Sequence, residues 1–297
     1  ISISDKSLSL IGEGPTLTII DGEYTISGGG TIVTFYQSPN SLIEGVTIQN
    51  GNEAEDSVAG IYVSNWSNLI LDNVIVSDNG SPEGNASVGG ILTYYSDIMV
   101  RNSLITGNRG GYGGIKTTFG DMQVENSTIV DNGDVSLHID YGSHVNIINS
   151  IIEINNPVDD NGWDNIFGPN NYKELNIAYS NIVSQPETAL TEFDELTFSL
   201  GVTNFYEGVT YYPIQFSEDY TLMEGSYGID AGIESFQFEE IDSWNDSWVE
   251  SEQDAHLYMD DSFNNGNPDL GWQESPYTGV GGCNDPLAQN YNPVFTF

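Results

Sequence analysis

The chain has 297 residues and sets 44 Asp and Glu against five Lys and Arg, a formal net charge of −39 at pH 7. A surface this negative repels nucleic acid and anionic membranes, which excludes both as partners. Abundant Gly, Asn, Ser, Thr, Ile, Val and Tyr, with few helix formers, give an all-β composition rich in turns. No run approaches the roughly 20 apolar residues of a membrane helix, which excludes direct membrane insertion by one.

In chain order, Ile1-Ser2-Ile3-Ser4 reads as the middle of a strand, so the chain is expected to be an excerpt of a longer exported precursor. A repeat follows. Gly45-Val46-Thr47-Ile48 is a weak first copy, and Asn73-Val74-Ile75-Val76 begins the clear ones. Asn102-Ser103-Leu104-Ile105, Asn126-Ser127-Thr128-Ile129 and Asn149-Ser150-Ile151-Ile152 come next, then Tyr179-Ser180-Asn181-Ile182. The spacings are 28, 29, 24, 23 and 30 residues. A fixed core with variable spacing means constant coils joined by loops of unequal length.

Two further period-2 registers run alongside. One holds Ile61, Ile91, Ile115 and Leu137, each followed two residues later by Val63, Thr93, Thr117 and Ile139. The other pairs Leu69 with Leu71, Ile98 with Val100, Met122 with Val124 and Val145 with Ile147. Three period-2 runs per repeat predict three strands per coil, stacked at about 4.8 Å so that like residues superpose. Ile48, Val76, Ile105, Ile129, Ile152 and Ile182 then form an aliphatic spine. By parity Tyr95, Phe119 and Tyr141 are expected to point inward as an aromatic stack, although a sugar platform would use the same residues. Asn73, Asn102, Asn126 and Asn149, with Asn79, Asn108, Asn132 and Asn155, are expected to form hydrogen-bonded ladders at two bends.

From about residue 186 the repeat loosens. Residues 233–262 are acidic and aromatic and read as a loop or cap, with Trp244 and Trp248 either packed on the rod or stacking against sugar rings. The fold class is therefore all-β: a right-handed single-stranded parallel β-helix, a solenoid with three strands per coil and an irregular C-terminal cap. Regular coils span about 42–185, looser coils and cap about 186–275, and 276–297 form a linker and the start of a Cys-containing module.

These features resemble the pectate-lyase-like parallel β-helix superfamily, and more closely bacterial surface proteins of the choice-of-anchor and right-handed β-helix repeat type. The resemblance rests on Lys6-Ser7-Leu8-Ser9-Leu10-Ile11-Gly12-Glu13-Gly14 with Thr18-Ile19-Ile20-Asp21-Gly22 at the start. At the end it rests on Gly228-Ile229-Asp230-Ala231-Gly232 and Asn267-Pro268-Asp269-Leu270-Gly271-Trp272. Gly282-Cys283-Asn284-Asp285-Pro286 and Asn290-Tyr291-Asn292-Pro293 look like the start of a GCxDPxAxNYNP-type module. The resemblance implies an extracellular or cell-surface protein, with glycans, other matrix proteins or copies of itself as partners. It also implies that the partner of Cys283, the single cysteine, lies in a further part of that module.

Residues that interrupt the ladders are the candidates for chemistry. Lys116 and His138 fall in one outward column below Tyr62, and Asp140 falls in the next below Tyr94. Arg109 and Tyr112 lie in the loop before Lys116. A cation to neutralise a uronate, beside a group that takes the neighbouring proton, is the lyase mechanism of the resembled superfamily. Lys116, His138, Asp140 and Arg109 are thus the candidate catalytic set, and Tyr62, Tyr94, Tyr112, Trp244 and Trp248 the candidate ligand contacts. Asp159, Asp160 and Asp164 crowd one loop and Asp260, Asp261 and Asp269 another, and hard oxygen donors of this kind suit Ca²⁺. Simple charge relief on an acidic rod explains the cations equally, and solvation explains the acidic loops. Two functions follow: a non-catalytic adhesive, glycan-binding or self-assembling surface rod, or a calcium-dependent lyase or hydrolase of acidic polysaccharides.

Overall fold

The computed structural model describes residues 1–23, 30–52, 58–80, 87–133, 135–154, 174–184, 203–207, 214–224, 226–229, 231–232 and 269–273. Among them regular structure is all strand, arranged as three parallel sheets that the chain visits in turn. Sheet A stacks β1 (Ser2–Ser4), β4 (Val33–Tyr36), β7 (Ile61–Ser64), β10 (Ile91–Tyr94), β13 (Ile115–Thr118) and β16 (Leu137–Asp140). Sheet B stacks β2 (Ser9–Ile11), β5 (Ser41–Glu44), β8 (Asn68–Asp72), β11 (Asp97–Arg101), β14 (Asp121–Glu125), β17 (His144–Ile148), β19 (Glu174–Ala178) and β21 (Thr203–Glu207). Sheet C stacks β3 (Ile19–Asp21), β6 (Thr47–Gln49), β9 (Ile75–Ser77), β12 (Leu104–Thr106), β15 (Thr128–Val130), β18 (Ile151–Ile154) and β20 (Asn181–Ser184). Coils are therefore already present at Ser2, well before the repeat becomes visible in the sequence.

The spine forms as expected. Ile48 pairs with Val76, Val76 with Ile105, Ile105 with Ile129, Ile129 with Ile152 and Ile152 with Ile182, and all six are buried. Each aliphatic residue so buried contributes on the order of 1.5–3 kcal/mol. Thr93 and Thr117 replace aliphatics in sheet A, and they share a 2.8 Å hydroxyl hydrogen bond inside the core.

Most of the bends share one device, a left-handed residue followed by a ladder residue. At the B–C bend the left-handed positions are Gly45, Asn73, Asn102, Asn126, Asn149 and Tyr179. Asn suits this conformation better than most residues do. These asparagines were expected to build the ladder themselves, but the following serines build it. The Ser103 backbone N–H donates to Ser127 Oγ at 3.2 Å, Ser127 to Ser150 at 3.1 Å and Ser150 to Ser180 at 3.1 Å. The left-handed Asn102 still reaches the neighbouring coil, but its Nδ2 donates to Asp72 Oδ1 at 3.0 Å rather than to Asn73.

At the C–A bend the ladder is the expected one. Asn79 Nδ2 donates to Asn108 Oδ1 and Asn108 Nδ2 to Asn132 Oδ1, both at 2.9 Å, and all three residues are buried. Asn155 lies outside the described residues. The coils touch closely just past this bend: a Cβ at Gly90 would lie 2.3 Å from the Gly114 carbonyl oxygen, so only glycine fits.

The described part of the C-terminal segment packs on the flank of the rod. Leu222, Ile229 and Leu270 bury against Val130 and Ile151, which face outward from sheet C. The Gly271 N–H donates to the Asn149 carbonyl at 2.9 Å and the Trp272 N–H to Thr128 Oγ1 at 3.3 Å. The end of the resembled closing motif is thus a lateral strap, placed there because sheet C presents apolar residues outward at those two positions.

Candidate functional site

Strand register brings the candidate catalytic side chains together. Lys116 pairs with His138 and Thr118 with Asp140 on the outer face of sheet A. Lys116 Nζ lies 3.9 Å from Asp140 Oδ2 and 4.0 Å from the centre of the Tyr112 ring. The Tyr112 ring in turn lies 4.4 Å from that of His138, tilted by 42°. Tyr112 is aimed by its loop, where its N–H donates to the Ser87 carbonyl at 2.9 Å and its backbone bridges to Val88.

Burial pushes the Lys116 amine below its ordinary value, and the Asp140 carboxylate opposes that shift. Burial, then Asp140, raises the Tyr112 phenol. His138 and Asp140 are both buried. The cluster is therefore closed by its own members: the ammonium faces a carboxylate and an aromatic ring. Arg109 stands exposed on the loop, and Tyr62 lies two strands from Lys116 in the same column.

The aromatic column departs from expectation. Trp66, Tyr95, Phe119 and Tyr141 occupy left-handed positions at the A–B bend, with φ of 63°, 50°, 55° and 28°. A left-handed residue interrupts strand alternation, so the inward parity of Thr93 and Thr117 does not carry past the bend. The rings lie outside, Phe119 and Tyr141 each 38% exposed and Trp66 68%. They still stack: Tyr95 and Phe119 are 4.5 Å apart and 10° from parallel, Phe119 and Tyr141 5.5 Å and 23°. Tyr94, 38% exposed, meets Tyr95 edge-on at 4.7 Å. The left-handed conformation costs a bulky residue about 1–2 kcal/mol, and each ring stack returns about 0.5–1.5 kcal/mol. Trp66 is the least supported, tilted 43° from Tyr95 at 6.1 Å. The inner side of this bend is held by serines, with Ser38 N–H donating to Ser67 Oγ and Ser67 N–H to Ser96 Oγ.

Beside the ridge runs a column that sequence reasoning missed. Asn68, Asp97, Asp121 and His144 open successive strands of sheet B. The Asp121 N–H donates to Asp97 Oδ1 at 2.9 Å, and His144 Nδ1 lies 2.8 Å from Asp121 Oδ1. Burial, above all, pushes the Asp97 carboxyl up to about 6. The signal was present in the sequence, because these residues precede the inward pairs Leu69/Leu71, Ile98/Val100, Met122/Val124 and Val145/Ile147 at constant offset.

Trp244, Trp248, Asp159, Asp160, Asp164, Asp260, Asp261 and Cys283 lie outside the described residues. Asp269 is buried next to the strap residue Leu270. Among the described residues no three His, Cys, Asp or Glu side chains group as a metal site, and no helix is long and apolar enough to cross a membrane.

The family model described as right handed beta helix region matches residues 18–181, more than half of the chain. The protein belongs to that family, and its three-sheet parallel solenoid is a right-handed β-helix. Searches of curated proteins and of solved structures find no match.

Proposed function

We propose that the protein is an exported surface or matrix rod whose role is adhesive and glycan-binding, of the kind its choice-of-anchor resemblance implies. One observation carries this reading over the lyase. Lys116, the cation a uronate would need, is held against Asp140 and Tyr112, with His138 and Asp140 buried beside it. A polyuronate would have to displace a carboxylate from the ammonium while approaching a chain of net charge −39. The lyase reading keeps one support, the burial that lowers the Lys116 amine toward a basic, neutral form.

Incubation with a panel of uronate polymers and calcium, followed by ultraviolet absorbance of unsaturated product, separates the two. The rod reading expects no product. Product formed by the intact chain and lost in both Lys116→Ala and His138→Ala overturns it.

A further inference from the structure

The aromatic ridge at the A–B bend adjoins the Lys116 cluster, where the Tyr141 N–H donates to Asp140 Oδ1 at 3.0 Å, and presents its own row of rings. We infer that the ridge formed by Trp66, Tyr94, Tyr95, Phe119 and Tyr141 is a binding strip for a single extended, uncharged glycan chain lying along the rod axis. The inference rests on the adhesive, glycan-binding reading and names its site and ligand class.

Four features point to this occupant. First, a left-handed position is filled comfortably by Asn or Gly, as most of the B–C bend shows, yet three successive coils here place Tyr95, Phe119 and Tyr141 in it, and in the coil before them Trp66 follows a left-handed Asn65. Strain retained on an exposed surface points to use. Second, the strip is narrow. Its exposed ring area is on the order of 400 Å², well short of the roughly 800 Å² per partner that a stable protein interface needs. It is the size of a functional patch rather than a dimer face. Third, charge selects the ligand: at −39 a second copy and an acidic polysaccharide are both repelled, whereas a neutral glycan is not. Fourth, the chemistry is amphipathic. Tyr94, Tyr95 and Tyr141 carry phenol hydroxyls, which both donate and accept hydrogen bonds.

Ring orientation sets the mode of contact. Tyr95, Phe119 and Tyr141 cover one another's faces, so they offer edges and hydroxyls. Trp66, at one end, is the most exposed ring and offers its indole to the C–H face of a sugar. The coil repeat of about 4.8 Å is close to the length of one pyranose in an extended equatorially linked chain, so successive sugars meet equivalent positions.

The test is affinity electrophoresis of the intact chain through gels containing soluble neutral β-linked glycans (hydroxyethylcellulose, xyloglucan, β-glucan), with polygalacturonate as the acidic arm. Trp66→Asn keeps a residue suited to the left-handed backbone, and Glu13→Gln, exposed at the B–C side of the rod, serves as a control away from the ridge. The expected result is retardation by at least one neutral glycan, weakened tenfold or more in Trp66→Asn, unchanged in Glu13→Gln, with the same thermal midpoint. Retardation unaffected by Trp66→Asn overturns the ridge while leaving a glycan-binding rod. Retardation by polygalacturonate alone overturns the choice of ligand. No retardation by any glycan overturns both, and a concentration-dependent dimer dissolved by Trp66→Asn assigns the ridge to a second copy instead.

Discussion

The A–B and B–C bends solve one geometric problem with different residues. Both turn the chain through a left-handed residue and then tie coil to coil with serine hydroxyls. At B–C the left-handed position goes mainly to Asn, which adopts it readily. At A–B it goes to Gln37 and Asn65 in the earlier coils, with Trp66 left-handed after Asn65, and then to Tyr95, Phe119 and Tyr141, which adopt it at a cost and recover part of that cost by stacking on one another. The difference teaches that the inner half of a bend belongs to the scaffold, whereas the left-handed outer residue is free to serve the surface.

Substitutions can break or sharpen that contrast. The largest effect is expected where a bend is wholly scaffold. Asn108→Ala at the C–A bend removes the acceptor of the Asn79 amide and backbone N–H and the donor to the Val76 carbonyl, all buried. It should cost about 3 kcal/mol, read as a lower urea midpoint with unchanged slope.

Next comes Asp97, which opens the strand that follows the aromatic bend. Its folded value of about 6 lies above the ordinary carboxylate range, so the native state holds the proton more tightly. The stability tied to the protonated acid is whole below about pH 4 and is lost as pH rises through about 6. Asp97→Asn extends the amide of Asn68 and escapes this loss. Its stability should match that of the natural chain at pH 4 and exceed it by about 2 kcal/mol at pH 7, measured by urea unfolding at both.

Asn73→Tyr places an aromatic in the exposed left-handed site of the other bend, where Asn102 rather than a ring is its neighbour. The backbone cost of about 1 kcal/mol should appear in full, as a drop in thermal midpoint. Trp66→Asn is the reverse exchange. With so much of the indole already in solvent, relieved strain and lost contact should cancel to within about 0.5 kcal/mol, so the thermal midpoint should hold while ligand binding changes.

The strands and the asparagine ladder of the C–A bend were legible, and the A–B and B–C bends were not. Ile48, Val76, Ile105, Ile129, Ile152 and Ile182 could be read as a spine because side chains alternate strictly within a strand. One left-handed residue resets that alternation, so parity carried from Thr93 and Thr117 sent Tyr95, Phe119 and Tyr141 to the wrong side. Serine was passed over for the same reason: asparagine is the commoner letter at the repeat start, but the residue after it bears the bonds. Lys116, His138 and Asp140 could be placed side by side from strand register. That Tyr112 would close over them could not, because its position depends on a loop whose length varies between coils. The column holding Asp97 could be read from its constant offset, but the shift of Asp97 could not, because it comes from burial and from neighbours one coil away.

The flank strap sets an order of events. Contacts between coils join residues 21 to 35 apart, as in Ile115 with Ser136 and Ser38 with Ile3, so each turn can form against the last one made. The Trp272 contact with Thr128 spans 144 residues. Val130 and Ile151 thus gain their cover only after their strands have formed, first from Leu222 and Ile229 and last from Leu270, and closing so long a loop is slow. The rod's most aggregation-prone interval is therefore a matter of timing: it opens when β15 and β18 form and ends only when the strap is laid down.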